Sequence, residues 1–155
     1  MREFLFNQLK VIRSNTINAV KELSESQADL VPEGFNNNIR WNLGHVYLVQ
    51  GKFAFGFIPE PMQMPEGFTE LFGRDTKPPE WKVQPPTLPD LIKLLEDQTS
   101  RIKEKLDNRL DEVVANPFAM PSGLTLKTIG EFLTFSMYHE GMHVQTIKIL
   151  KRFSA

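Results

Sequence analysis

Apolar residues recur at intervals of three and four along four long segments of the chain, a spacing that places them on one face of a helix. The first segment, roughly residues 2 to 23, carries this stripe through Leu5, Leu9, Ile12 and Thr16. A helix with one apolar face must bury it against another element. Because no credible strand separates the segments, the pattern predicts an all-α antiparallel four-helix bundle, formed by one domain over residues 1–155.

Capping and breaking residues set the limits of the other three helices. Asparagines at positions 36–38 are N-cap candidates for a second helix that runs to about Phe57. Thr87 begins a third helix that ends near Leu110, and Thr125 begins the last one. The segment 58–86 is rich in Pro and Gly, which predicts a long loop. Its aromatic residues indicate that it packs on the domain, and it could serve as a connection, a lid or a homodimer contact.

Charge and composition exclude several classes of protein. Lysine and arginine total 18 and aspartate and glutamate 19, a net charge of −1 with no basic block, which argues against a nucleic-acid partner. The opening MREFLFNQLK has no signal-peptide pattern, and no apolar run reaches the length of a membrane span. We therefore expect a cytoplasmic protein without a membrane partner. Cysteine is absent, so any thiol chemistry needs a thiol supplied by a substrate.

Three histidines fall on the core-facing lines of two predicted helices. In YHEGMHVQTIKIL, His139 and His143 are four residues apart and share one helix face, while His45 follows Gly44 on the inward line of the second helix. Three neutral imidazoles that leave one position open are typical of a catalytic metal site. Histidines can also be hydrogen-bonded core residues, but three unpartnered imidazoles would be costly to bury. The pattern therefore predicts a metal site.

The string His139-Glu140-x-x-His143 also matches the zincin signature, in which the glutamate is the general base of a metalloprotease. A zincin takes its third ligand from further along the chain, yet no His, Asp or Glu follows His143. We therefore expect His45 to supply the third ligand. Glu140 is then a carboxylate that faces solvent or orients a ligand.

Metal-bound histidines need hydrogen-bond partners that fix their ring orientation. Helical spacing offers Asn42 for His45, Ser136 for His139 and Thr146 for His143, with Glu140 and Gln145 as alternatives if the helices are rotated. Trp41, Phe132 and Phe135 could wall a pocket, although aromatic residues at this spacing also occur as plain core.

Two stretches of the chain resemble a known family. IRWNLGHVYLVQ, followed much later by TIGEFLTFSMYHEGMHVQTI, is similar to the DinB superfamily, also described as YfiT-like metal-dependent proteins. The resemblance covers nearly the whole chain. It implies a four-helix bundle of up-down-down-up topology and a divalent metal, commonly nickel or zinc. It also implies that one histidine of the second helix and two of the last hold the metal, which here are His45, His139 and His143.

The family includes thiol S-transferases and a thiol-dependent isomerase that use low-molecular-weight thiols. The resemblance therefore implies a metal-dependent transferase that acts on a small molecule with such a thiol as cosubstrate. Two alternatives remain open at this point: a hydrolase that uses a metal-bound water, and a non-catalytic metal-binding or interaction module. The sequence assigns no catalytic residue beyond the metal ligands.

Overall fold

Helices account for most of the chain in this computed structural model, which describes residues 1–154. The six α-helices within those residues are α1 (Arg2–Val20), α2 (Glu25–Asp29), α3 (Ile39–Phe55), α4 (Phe68–Phe72), α5 (Leu88–Leu106) and α6 (Ile129–Phe153). A short 3-10 helix lies at Pro78–Glu80. Two antiparallel strands, β1 (Val113–Ala119) and β2 (Thr125–Thr128), connect α5 to α6. No helix among the described residues has the length and apolar content that crossing a membrane requires.

The four long helices bury their apolar faces against one another. Both α1 and α3 pack against α5 and against α6. On α5 the predicted stripe is buried throughout, at Leu88, Leu91, Leu95, Ile102 and Leu106. α3 is buried on nearly every side, because α4 packs against it in addition to α5 and α6. The prediction of four long helices is confirmed, but α3 is buried around most of its circumference and not on one face.

The ends of the helices differ from the predicted ends by a few residues. α1 ends at Val20 and α5 at Leu106, both earlier than the apolar pattern suggested. The predicted cap of the last helix, Thr125, is wrong because this residue begins β2. Thr128 caps α6 instead: its hydroxyl accepts from the Glu131 amide, and the Glu131 carboxylate accepts from the Thr128 amide. This reciprocal pair satisfies two amides that the first turn of a helix leaves without partners.

The expectation that the chain has no strand is also wrong. β1 and β2 form a two-stranded ribbon in which Val114 and Leu126 are buried. Pro117 lies in the irregular part of the register between Val113 and Phe118, where a missing amide removes no regular ladder bond. The prolines and glycine of this segment are therefore compatible with an irregular hairpin, although they suggest an unstructured break.

The predicted loop between the second and third long helices packs tightly on α3. Its helix α4 buries Phe68, Leu71 and Phe72. Gly44 on α3 makes this contact possible, because a Cβ at that position would overlap the Phe72 ring. The loop is therefore a fixed part of the structure beside α3, as its aromatic residues indicated.

A buried ion pair joins α1 to α6. Arg13, on the inner face of α1, donates from Nε to Glu140 Oε1 at 2.8 Å and from Nη2 to Glu140 Oε2 at 3.1 Å. The guanidinium also donates to the Leu95 carbonyl and to Gln98 Oε1 on α5. Because both charged side chains are at most 4% exposed, the pair depends on these partners.

We expect the Arg13→Met substitution to lower the free energy of unfolding by about 3–5 kcal/mol, because it leaves Glu140 buried without its counter-charge. The double variant Arg13→Met with Glu140→Leu should lose less than the sum of the two single variants. Chemical denaturation of all four proteins measures both effects. Arg74→Met removes a fully exposed pair with Asp75 and serves as the control. An Arg13→Met variant as stable as this control would contradict the prediction.

Candidate metal centre

The structure brings the three histidines together between α3 and α6. One ligand nitrogen from each of His45, His139 and His143 lies within 4.8 Å of the other two. The Nε2 atoms of His139 and His143 are 3.2 Å apart. The His45 ring centroid lies 5.2 Å from that of His139 and 5.0 Å from that of His143. His45 is far from the other two histidines in sequence, so the packing of α3 on α6 creates the cluster.

Two of the imidazoles have fixed hydrogen positions. His45 Nδ1 lies 2.7 Å from the Phe72 carbonyl oxygen, which can only accept, so Nδ1 carries the hydrogen. His143 Nδ1 lies 2.8 Å from Asn42 Oδ1. The Asn42 amide is oriented by its own donation to the Asn38 carbonyl, so its oxygen also accepts from the ring. Both histidines therefore present an Nε2 lone pair to the cluster, as a metal ligand must.

The first turns of α3 position two residues that contact the histidines, Asn42 and Trp41. Asn38 caps the helix by accepting from the Trp41 amide at 2.7 Å, which fixes the turn that contains Asn42. The Trp41 ring stacks on His45 with centroids 4.5 Å apart and planes 11° from parallel. Trp41 Nε1 donates to Thr76 Oγ1 in the loop. His45 is therefore held by a ring on one side and a carbonyl on the other.

Burial keeps the three imidazoles neutral. Burial is the main cause that lowers the pKa of His45. It lowers the pKa of His139 to about 4, with a further contribution from His45, and the pKa of His143 to about 3, with contributions from His139 and His45. Neutral imidazoles are the form that binds metal ions, so protons do not compete for these nitrogens at neutral pH.

The spacing of the nitrogens fits a shared ion. Two nitrogens that bind zinc at 2.0–2.1 Å in a tetrahedral arrangement lie roughly 3.3 Å apart. The separation between His139 Nε2 and His143 Nε2, 3.2 Å, is close to that value. Within residues 1–154 the group that could hold an ion consists of these three side chains, and they could hold a metal ion as a set.

The other candidate partners are placed as follows. Asn42 bonds His143, whereas spacing had suggested His45. Ser136 Oγ donates to the Leu133 carbonyl and accepts from Gln50. Thr146 donates to the Met142 carbonyl, and Gln145 is exposed. The hydrogen bonds of Ser136 and Thr146 therefore go elsewhere.

Glu140 points away from the histidines, toward α1. Its carboxylate accepts from Arg13 and, at 2.6 Å, from the Thr16 hydroxyl. It is 2% exposed, so water reaches it poorly. The zincin interpretation gives this residue the role of general base, and the Arg13 ion pair opposes that role.

Sequence reasoning missed two partners of His45. The Phe72 carbonyl comes from the loop, and the sequence indicates Trp41 only as a pocket wall or a core residue, not as a ring stacked on His45. Gly44 was the one available signal, because it indicated a close approach without revealing that α4 makes it. Two cavities of about 640 and 880 Å³ have no histidine in their lining, although Phe135 and Tyr138 line the smaller one.

We expect the metal-free protein to lose stability as the pH falls from about 6.5 to about 4. In the unfolded chain a histidine takes up its proton near pH 6.5, whereas folded His139 and His143 do so near pH 4 and 3. The unfolded state binds more protons across this range, so the free energy of unfolding falls as the pH falls, by at most about 1.4 kcal/mol per pH unit for each histidine.

Chemical denaturation of chelator-treated protein across this pH range tests the prediction. His143→Gln is the comparison, because glutamine does not titrate and the slope should become shallower. Equal slopes for the variant and the wild type would contradict the assignment of the effect to His143.

The comparison with known families covers α3 and the part of α6 that carries the histidines. The family model described as DinB superfamily matches residues 8–147, which include His45, His139 and His143. The chain matches none of the curated proteins with which it was compared. The family match covers most of the 155 residues and confirms the resemblance drawn from the sequence. The chain therefore belongs to the DinB superfamily.

Proposed function

We propose that this protein binds one divalent metal ion, zinc or nickel, through His45, His139 and His143. We further propose that it transfers the sulfur of a low-molecular-weight thiol to a small electrophile. The observation that carries the proposal is the cluster of three neutral imidazoles, two of which present Nε2 lone pairs because Phe72 and Asn42 fix their other nitrogens. Three protein ligands leave a position open, which is typical of catalytic sites.

A metal ion held by His45, His139 and His143 would act as a Lewis acid and lower the pKa of a thiol. In the overall reaction the thiol sulfur forms a bond to the electrophilic atom as the bond to the leaving group breaks, and the thiol proton departs with the leaving group. The chain has no cysteine, so the thiol must come from a second substrate. Trp41 stacked on His45 shields that side of the cluster from water.

Two observations count against a hydrolase of the zincin kind and against a closed structural site. A hydrolase of the zincin kind needs a free carboxylate as general base, and Glu140 is held by Arg13 and Thr16. A structural metal site is closed by a fourth protein ligand, and the cluster in residues 1–154 holds three. An open three-histidine site suits a nucleophile that the metal alone deprotonates, and the absence of cysteine from the chain leaves a thiol cosubstrate or water for that role.

We also propose that the four long helices, α1, α3, α5 and α6, run in the directions up, down, down and up. Contacts of Arg2 with Asn108 and of Arg13 with Leu95 support opposite directions for α1 and α5. Contacts of Arg13 with Glu140 and of Lys151 with Ala19 support the same direction for α1 and α6.

We expect about one zinc or nickel ion per chain in protein purified without chelator. His45→Ala and His139→Ala should each lose the metal, because two imidazoles hold an ion much more weakly than three. Elemental analysis together with the protein concentration gives the ratio of metal ions to chains. Gln145→Ala, an exposed change on α6, is the control. Metal retained by His45→Ala at the wild-type ratio would show that His45 is not a ligand.

Turnover of a small electrophile should depend on both metal and thiol. Removal of the metal should lower the rate at least tenfold, an effect of roughly 1.4 kcal/mol or more on the barrier. Product analysis with and without a low-molecular-weight thiol measures the transfer. Turnover that needs the metal but proceeds equally without thiol would favour the hydrolase instead.

A further inference from the structure

A partly exposed strip runs from the histidines along the outer side of the contact between α3 and α6. Val49 and Phe53, four and eight residues after His45, share its face of α3 and are partly buried. Phe135, four residues before His139, continues the histidine face of α6 and is partly buried too. The Phe53 and Phe135 rings meet edge to face with centroids 5.8 Å apart, so the two helices form one continuous surface.

Further aromatic rings widen this surface. The Tyr138 ring centroid lies 5.7 Å from that of Phe135, and Tyr138 is 61% exposed. Phe118 on β1 lies 6.3 Å from Phe53 and is 38% exposed. We call Phe53, Phe118, Phe135 and Tyr138 the aromatic strip. Accessible aromatic faces beside a polar centre suit the apolar part of a small ligand.

Lys52 carries a positive charge on the same face of α3 as His45, next to Phe53 in the chain. It lies seven residues after His45, about 10.5 Å along the helix axis, and helical side chains lean toward the N-terminus. The other charged residue of α3, Arg40, is paired with Glu25 and Asp29, whereas Lys52 is exposed.

From this placement we infer that the site takes an anionic substrate with an apolar or aromatic arm. Lys52 binds the anionic group, the aromatic strip accepts the arm, and the reacting sulfur lies at the three histidines. The inference rests on the proposed function, because the same histidines hold the reacting atom. It makes Lys52 a residue that determines specificity, distinct from the metal ligands.

Cobalt-loaded protein provides the test, because a thiolate bound to cobalt gives an absorption band that can be titrated. The probes are 2-benzyl-3-mercaptopropanoate, its neutral amide, and 3-mercaptopropanoate, which lacks the ring. Lys52→Met should weaken binding of the carboxylate probes about two- to tenfold and leave the amide unchanged, while Lys52→Arg keeps the preference. Tyr138→Ala should reduce the advantage of the benzyl probe over the ringless one.

Lys10→Met, an exposed change on α1, is the matched control and should behave as the wild type. Equal affinity of Lys52→Met and wild type for the carboxylate probe would overturn the inference. If cobalt binds but no thiolate band forms in the wild type, the proposed thiol function fails separately. NMR titration with 3-phenylpropanoate and 3-phenylpropanamide then decides: a carboxylate preference that Lys52→Met abolishes supports the inference, and no preference overturns it.

Discussion

The buried ion pair between Arg13 and Glu140 determines how the long helices fit together. Arg13 lies on α1 and donates hydrogen bonds to groups on α5 and α6. Gln98 of α5 extends the network to α3 by donating to the Tyr47 carbonyl at 2.8 Å. Each buried donor or acceptor that lost its partner would cost about 1–3 kcal/mol. Apolar packing tolerates small rotations of a helix, but this network does not. We infer that it selects one rotation for each of the four helices.

The rotation of α6 decides which of its side chains reach the metal centre. Consecutive helical residues point about 100° apart. With Glu140 held against α1, its neighbour His139 turns toward α3, and His143 follows one turn later on the same face. The bond between Ser136 and Gln50 of α3 ties the preceding turn. The contact that holds Glu140 against α1 therefore also places His139 and His143 beside His45.

Periodicity made the long helices and the histidine face predictable, because both follow from the 3.6-residue repeat. The hydrogen-bond partners of the histidines could not be predicted in this way. The Phe72 carbonyl is a backbone group, and a backbone group leaves no mark in the residue pattern. The buried role of Arg13 could not be predicted, because a charged residue beside the apolar stripe of a helix indicates a solvated side chain until its buried partner is known. Prolines at positions 117 and 121 concealed the hairpin, because they mark breaks more often than strands.

The positions and charges of the two α6 histidines suit the binding of one ion. Their Nε2 atoms are 3.2 Å apart, close to the roughly 3.3 Å between two nitrogens on one tetrahedral zinc ion. The bond between His143 Nδ1 and Asn42 leaves the His143 Nε2 lone pair facing the cluster. Because burial lowers the pKa of His139 to about 4 and that of His143 to about 3, neither ring carries a second proton that an ion would have to displace at neutral pH. The packing that orients and buries α6 therefore also keeps its two histidines in the form that binds metal ions.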